Sequence, residues 1–174
     1  VGRTPGVGST FWFTARLQRA AEVASPANPQ APVRDARTEL RRRHEGARVL
    51  LAEDNEVNQE VACALLAAAG ISVDVASDGR EALEMAGREA YALILMDVQM
   101  PVMDGLAATR AIRLLPGRDT TPILAMTADI FSGHRQEFQD AGMNDFVAKP
   151  CHPNDLYKAL LKWLSPTRAS AVTE

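Results

Sequence analysis

No stretch of the 174-residue chain approaches the roughly 18 uninterrupted apolar residues that a membrane-spanning helix needs. Cysteine is nearly missing. Cys63 and Cys151 lie on separate segments with no metal-like spacing. That excludes a disulfide framework and fits reduced thiols in a cytoplasmic setting. There is no initiator methionine, and Val1-Gly2-Arg3-Thr4-Pro5 has no signal-peptide layout. The chain therefore reads as a piece cut from inside a longer protein, one whose parent could be membrane-anchored. Positive charge is short where most of the mass lies. Residues 49–164 carry nine Lys and Arg against seventeen acids, a net −8, while residues 1–48 carry nine Arg against four acids, a net +5. An acidic body argues against a nucleic-acid surface. What is present suits a core: 47% hydrophobic and 24% charged residues exclude a disordered chain. They suit one domain of about 100–150 residues with some excess.

Three zones follow along the chain. Residues 1–17 hold Gly2, Gly6 and Gly8, then Phe11, Phe13, Ala15 and Leu17 alternating with Trp12, Thr14 and Arg16. Period two after a glycine-rich turn predicts a strand. Residues 18–47 carry Pro26, Pro29, Pro32 and the Arg41-Arg42-Arg43 run. This is linker composition, with a short, solvated charged helix near Val33–Glu45. From residue 48 to 164 strands and helices alternate. The strands are Arg48–Ala52, Val73–Ala76, Leu93–Met96, Pro122–Met126 and Asp145–Ala148. The helices are Glu56–Ala69, Arg80–Glu89, Leu106–Leu115, Arg135–Ala141 and Pro153–Leu164. Five of each in strict alternation predict an α/β fold with a parallel sheet and right-handed crossovers. Residues 165–174 read as a short tail with no output domain.

The polar residues fall at strand ends. Glu53 and Asp54 follow the first strand, Asp97 the third, Thr127 the fourth and Lys149 the fifth. Each alone is an ordinary cap, turn or solvated residue. Together, at the carboxyl edge of an open parallel sheet, they should share one crevice. Three crowded carboxylates repel one another, and a hard divalent cation such as Mg²⁺ removes the conflict. With an ammonium and a hydroxyl beside a carboxylate, the set suits phosphoryl transfer to an aspartate, Asp97 being the candidate nucleophile. In the order 2-1-3-4-5 its strand is central.

Residues 48–164 resemble the receiver domain of two-component response regulators, which has the flavodoxin-like fold. The matching pieces are Leu51-Ala52-Glu53-Asp54-Asn55, Leu95-Met96-Asp97 through Met100-Pro101-Val102-Met103-Asp104-Gly105, Met126-Thr127-Ala128 and Val147-Ala148-Lys149-Pro150. The resemblance implies that Asp97 is the phosphoacceptor. It implies Mg²⁺ on Asp54, Asp97 and the backbone carbonyl of Gln99, with Glu53 acting through water. Thr127 and Lys149 would hold the phosphoryl oxygens, and a cis peptide before Pro150 would aim Lys149. Thr127 and Phe146 would form the switch. Asp129, two residues after Thr127, would flank the phosphoryl group together with Gln99. Asn58 after Glu53-Asp54-Asn55 resembles receivers attached to hybrid histidine kinases. Gly6-Val7-Gly8-Ser9-Thr10-Phe11-Trp12-Phe13 resembles the last turn and strand of a histidine-kinase ATP-binding domain, so residues 1–17 are expected to be its remnant. The implied partners are a phosphohistidine domain of a kinase or a histidine phosphotransfer domain, with no nucleic acid and no membrane contact. The fragment has neither the phosphorylatable histidine helix nor most of the ATP site, so it should catalyse only its own phosphorylation and dephosphorylation.

Three rivals predict other residues. A degenerate receiver that only docks partners predicts loss of an acid, the Thr or the Lys, and none is missing. A flavodoxin-like electron carrier needs a phosphate-cradling turn where Glu53-Asp54-Asn55-Glu56 stands. An aspartyl phosphatase typically has a second Asp where Gln99 stands.

Overall fold

The computed structural model describes residues 2–4, 8–10, 35–128 and 134–164. The chain divides into two units, Val1–Val33 and Arg34–Glu174. In the first, β1 (Gly2–Thr4) pairs antiparallel with β2 (Gly8–Thr10), Arg3 opposite Ser9. The strand expected along Phe11–Leu17, the tail 165–174 and Asp129 lie outside the described residues.

The second unit holds β3 (Arg48–Ala52), β4 (Ser72–Ala76), β5 (Leu93–Asp97), β6 (Ile123–Thr127) and β7 (Asp145–Ala148). They form one parallel sheet in the order β4-β3-β5-β6-β7. Counted within the sheet this is 2-1-3-4-5, as the sequence predicts. Six helices accompany it: α1 (Ala36–His44), α2 (Glu56–Ala68), α3 (Gly79–Arg88), α4 (Gly105–Arg113), α5 (His134–Ala141) and α6 (Pro153–Leu164). No helix among the described residues is long and apolar enough to cross a membrane.

Period two divides each strand between two apolar layers. Val49, Leu51, Leu93, Leu95, Leu124 and Met126 pack with Leu66 of α2 and Leu156 and Leu160 of α6. Leu50, Ala52, Ile94, Met96, Ile123 and Ala125 pack with Ala82 of α3, Ile112 of α4 and Phe138 of α5. With both faces covered, β5 and β6 have every residue buried, which is why they read as unbroken apolar runs. Side chains cap the helix starts. Asn55 accepts from the N–H groups of Val57 and Asn58, Asp78 from Arg80 and Glu81, and Asp104 from Ala107. Gly70 closes α2 at φ +77°, where only glycine is unstrained, and the N–H of Ile71 returns to the Leu66 carbonyl.

The charged helix is no solvated spacer. α1 packs against α6, and Leu40 is 0% exposed within the first apolar layer. The Gly46 N–H donates to the Gly70 carbonyl at 2.8 Å, tying the segment to the end of α2. The expected linker, 18–47, therefore includes a helix that belongs with the body. Leu40→Ala is expected to destabilise the unit by about 2–5 kcal/mol, the usual cost of emptying a buried leucine site. Urea unfolding checks this, and a loss below about 0.5 kcal/mol, the range of ordinary surface substitutions, would mean that α1 is dispensable.

Candidate phosphoryl-transfer site

Parallel strands end on one edge, and the helices that follow β3 and β5 begin there. Glu53 and Asp54 leave β3, Asp97 and Thr127 are the last residues of β5 and β6, and Lys149 follows β7. All five line one cleft of about 490 Å³, with Asn58, Gln99, Glu137 and Phe138 among its other walls. The five groups that the sequence places at four strand ends therefore meet.

Lys149 is the hub. Its ammonium lies 2.5 Å from Glu53 Oε2 and 2.6 Å from Asp97 Oδ2. Glu53, Asp97 and Thr127 are buried, whereas Asp54 is exposed. The Gln99 N–H donates to Asp97 Oδ1 at 3.2 Å. Burial pushes the Asp97 carboxyl above its usual range; the Lys149 ammonium and the Gln99 N–H oppose this, and nearby Glu53 adds to it. Burial alone would lower Lys149. Its two carboxylate partners outweigh that and hold the ammonium above its ordinary value. The Lys149 N–H also donates to the Thr127 carbonyl at 2.8 Å, and the Lys149–Pro150 peptide is cis.

The loop after Asp97 is built on close backbone approaches. The Gly105 N–H donates to the Val98 carbonyl at 3.0 Å, and a Cβ at Gly105 would strike the Asp97 carbonyl oxygen. Val102 has φ +65°, and the Met103 N–H donates to the Pro101 carbonyl at 2.7 Å. That is the i to i+2 bond of a γ-turn, an uncommon conformation for a β-branched residue. It leaves the Met103 carbonyl facing the Gly79 N–H at 3.1 Å, so the loop is braced on the start of α3.

Glu53, Asp54 and Asp97 each offer a carboxylate oxygen, and the three lie within 4.8 Å of one another. Two of these acids are buried with one ammonium between them. An oxygen-only donor set with excess negative charge fits a hard divalent cation.

Phe146 stands apart from the cleft. It is half-buried on β7 beside the second apolar layer, with the Arg135 guanidinium 5.3 Å from its ring centroid. That partner was not read from the sequence, since the contact joins α5 to β7. The supports of Glu53 were also missed. The Asn58 side-chain N–H donates to Glu53 Oε1 at 2.9 Å, and the Gln59 amide donates to the Glu53 carbonyl at 2.6 Å. Asn58 carried a resemblance but no role. Its spacing of five from Glu53 crosses a strand-to-helix turn, so no single period shows it. Among the described residues no histidine lines the cleft.

The family model for the response regulator receiver domain matches residues 49–161. Two-component system protein A of Emericella nidulans is 39% identical over 167 residues, covering 90% of this chain; the chain spans 24% of that protein's length. The receiver domain of a sensor histidine kinase from Pseudomonas aeruginosa, solved with magnesium coordinated in its active-site cleft, is 43% identical. The match covers 68% of this chain and 98% of that one, with a TM-score of 0.65. The receiver domain of Ssk1 from Saccharomyces cerevisiae, solved in complex with the histidine phosphotransfer protein Ypd1, is 29% identical. There the match covers 68% of this chain and 89% of that chain, with a TM-score of 0.64.

Proposed function

The chain belongs to the response regulator receiver domain family, and from that premise we propose that it takes a phosphoryl group from a phosphohistidine onto Asp97, with Mg²⁺, as a relay step of a hybrid sensor histidine kinase. The observation that carries this reading is the convergence of Asp97, Glu53 and Lys149 within ion-pair distance at the sheet's carboxyl edge. An Asp97 carboxylate oxygen forms the new bond to phosphorus, the phosphorus–nitrogen bond breaks, and the imidazole nitrogen keeps the electron pair. Lys149 is placed to follow charge from the carboxylate to the phosphoryl oxygens. The Thr127 hydroxyl supplies a further donor. Asp54, Asp97 and the Gln99 carbonyl would hold Mg²⁺, with Glu53 through water. When bound, the ion supplies charge neutralisation for the attacking carboxylate and the phosphoryl oxygens. The partner is a phosphohistidine domain of a kinase or a phosphotransfer protein. The residues 1–17 remain a candidate remnant of the kinase's ATP-binding domain.

A histidine phosphotransfer protein labelled on its histidine should pass label to this chain in Mg²⁺ and not to Asp97→Asn. Equal transfer to the variant would remove Asp97 from the role.

We propose that the switch is driven from the same site. A bond from Thr127 to a phosphoryl oxygen draws the end of β6 inward, and Phe146 follows into the space vacated. Arg135 over the ring favours the outward state by about 0.5–1 kcal/mol, the usual worth of an exposed cation–π contact. Thr127→Ala should still accept phosphoryl, more slowly, but lose the change in hydrogen exchange over residues 134–150 on adding beryllofluoride. Identical changes in wild type and variant would place the coupling elsewhere.

A further inference from the structure

Glu53 is the most enclosed member of the site, 0% exposed, and both its oxygens are engaged. Oε2 sits 2.5 Å from the Lys149 ammonium. Oε1 accepts from the Asn58 amide at 2.9 Å and from the Asn55 N–H at 3.3 Å. Asn58 is the only side chain with a bond to Oε1 among those described. It lies in the first turn of α2, where the Asn55 cap fixes its backbone through an N–H bond of 3.2 Å. A neutral amide donor holds one carboxylate oxygen without adding charge.

We propose that Asn58 is a positioning residue for the cation. By holding Oε1 it keeps Glu53 on Lys149, so the ion is carried by Asp54 and Asp97 while Glu53 stays one water away. Outer partners of this kind set how ligands are aimed and how tightly an ion is held. Without the amide, Oε1 keeps only the longer bond from the Asn55 N–H at 3.3 Å, and a bound cation would supply the positive partner it has lost. Glu53 then joins the ion directly. The ion binds more tightly, and the Lys149 ammonium loses the partner that fixes it beside Asp97. Affinity and rate therefore move in opposite directions, whereas simple damage to the site lowers both.

The inference rests on the proposed phosphoryl-acceptor function, and wild-type protein tests that first. If it neither binds Mg²⁺ in calorimetry nor accepts phosphoryl from acetyl phosphate, the functional reading fails. With wild type active, Asn58→Leu keeps the side-chain size and removes the donor. It should bind Mg²⁺ about tenfold more tightly, the scale of one charge-assisted hydrogen bond transferred to the ion. Its phosphorylation rate at saturating Mg²⁺ should fall about tenfold, the lower range seen for such outer partners. Asn58→Asp keeps the shape and sets a charge against Oε1. It should also bind Mg²⁺ more tightly, and its metal-free form should melt lower than wild type. Unchanged or weaker Mg²⁺ binding in Asn58→Asp overturns the proposal, including the case where Asn58→Leu does not fold. Weaker binding and slower labelling together in a folded Asn58→Leu overturn it as well.

Discussion

Lys149→Met is expected to cost the metal-free protein about 3–5 kcal/mol, the range for removing one partner of a buried ion pair. The ammonium touches two carboxylates, at 2.5 Å and 2.6 Å, and both acids are buried. Methionine fills much of the lysine's volume, so lost packing contributes little and the uncompensated charge dominates. Two consequences separate this from general damage. Mg²⁺ should restore part of the loss, because it returns positive charge to the cluster and binds only the native state. Adding Glu53→Gln to Lys149→Met should make the protein more stable than Lys149→Met alone, a coupling that independent sites would not show. Urea unfolding in chelator and in Mg²⁺ measures all three. A loss under about 1 kcal/mol, the worth of an exposed pair, would mean that the lysine is solvated rather than binding the cluster.

Asp97→Asn is expected to act in the opposite sense and stabilise the metal-free protein. Three acids lie together and one ammonium touches two of them, so removing the Asp97 charge leaves Lys149 on Glu53. The raised Asp97 carboxyl fixes the sign with respect to pH. A carboxyl whose native pKa lies above its unfolded value costs stability when ionised, and costs nothing when both states are protonated. The advantage of Asp97→Asn is therefore full above the native value, where the carboxyl is ionised. It shrinks as pH falls through the native value towards about 4, the unfolded aspartate value. A gain of about 1 kcal/mol corresponds to about 4–8 °C in melting temperature for a domain near 100 residues. The difference should close in saturating Mg²⁺, since wild type then gains an ion that the variant holds less well. An advantage of the same size at pH 4 and pH 7 would trace the effect to packing instead.

The sheet was legible because its signals are local. Apolar runs such as Leu93–Met96 and the turn residues between them placed every strand to within about a residue. Pro122 shows the cause of one such one-residue shift. The apolar run predicts a fourth strand from Pro122, but proline has no N–H to give the ladder, and β6 begins at Ile123 while the Pro122 carbonyl accepts from Ile94. The site was legible for a topological reason: strand ends in a parallel sheet share an edge, so position in sequence translates into proximity.

What escaped were single contacts between distant segments. Leu40 is one apolar residue among arginines, and only the surface of α6 turns it into core. Arg113 stands in the sequence with no motif or period to mark it. Its guanidinium instead donates to the carbonyls of Gly142, Arg118 and Thr121 and to the Asn144 side chain, fastening two loops far from the site. Arg135 over Phe146 and Asn58 on Glu53 belong to the same class. Each depends on a register that no periodicity in the sequence encodes.

The acceptor role of Asp97 can be tested directly by intact mass after incubation with acetyl phosphate and Mg²⁺. Wild type should gain one phosphoryl group, lost in base as an acyl phosphate is, with no gain in chelator and none for Asp97→Asn. A wild type that stays unmodified in Mg²⁺, or an Asp97→Asn variant labelled as fast as wild type, would contradict the account.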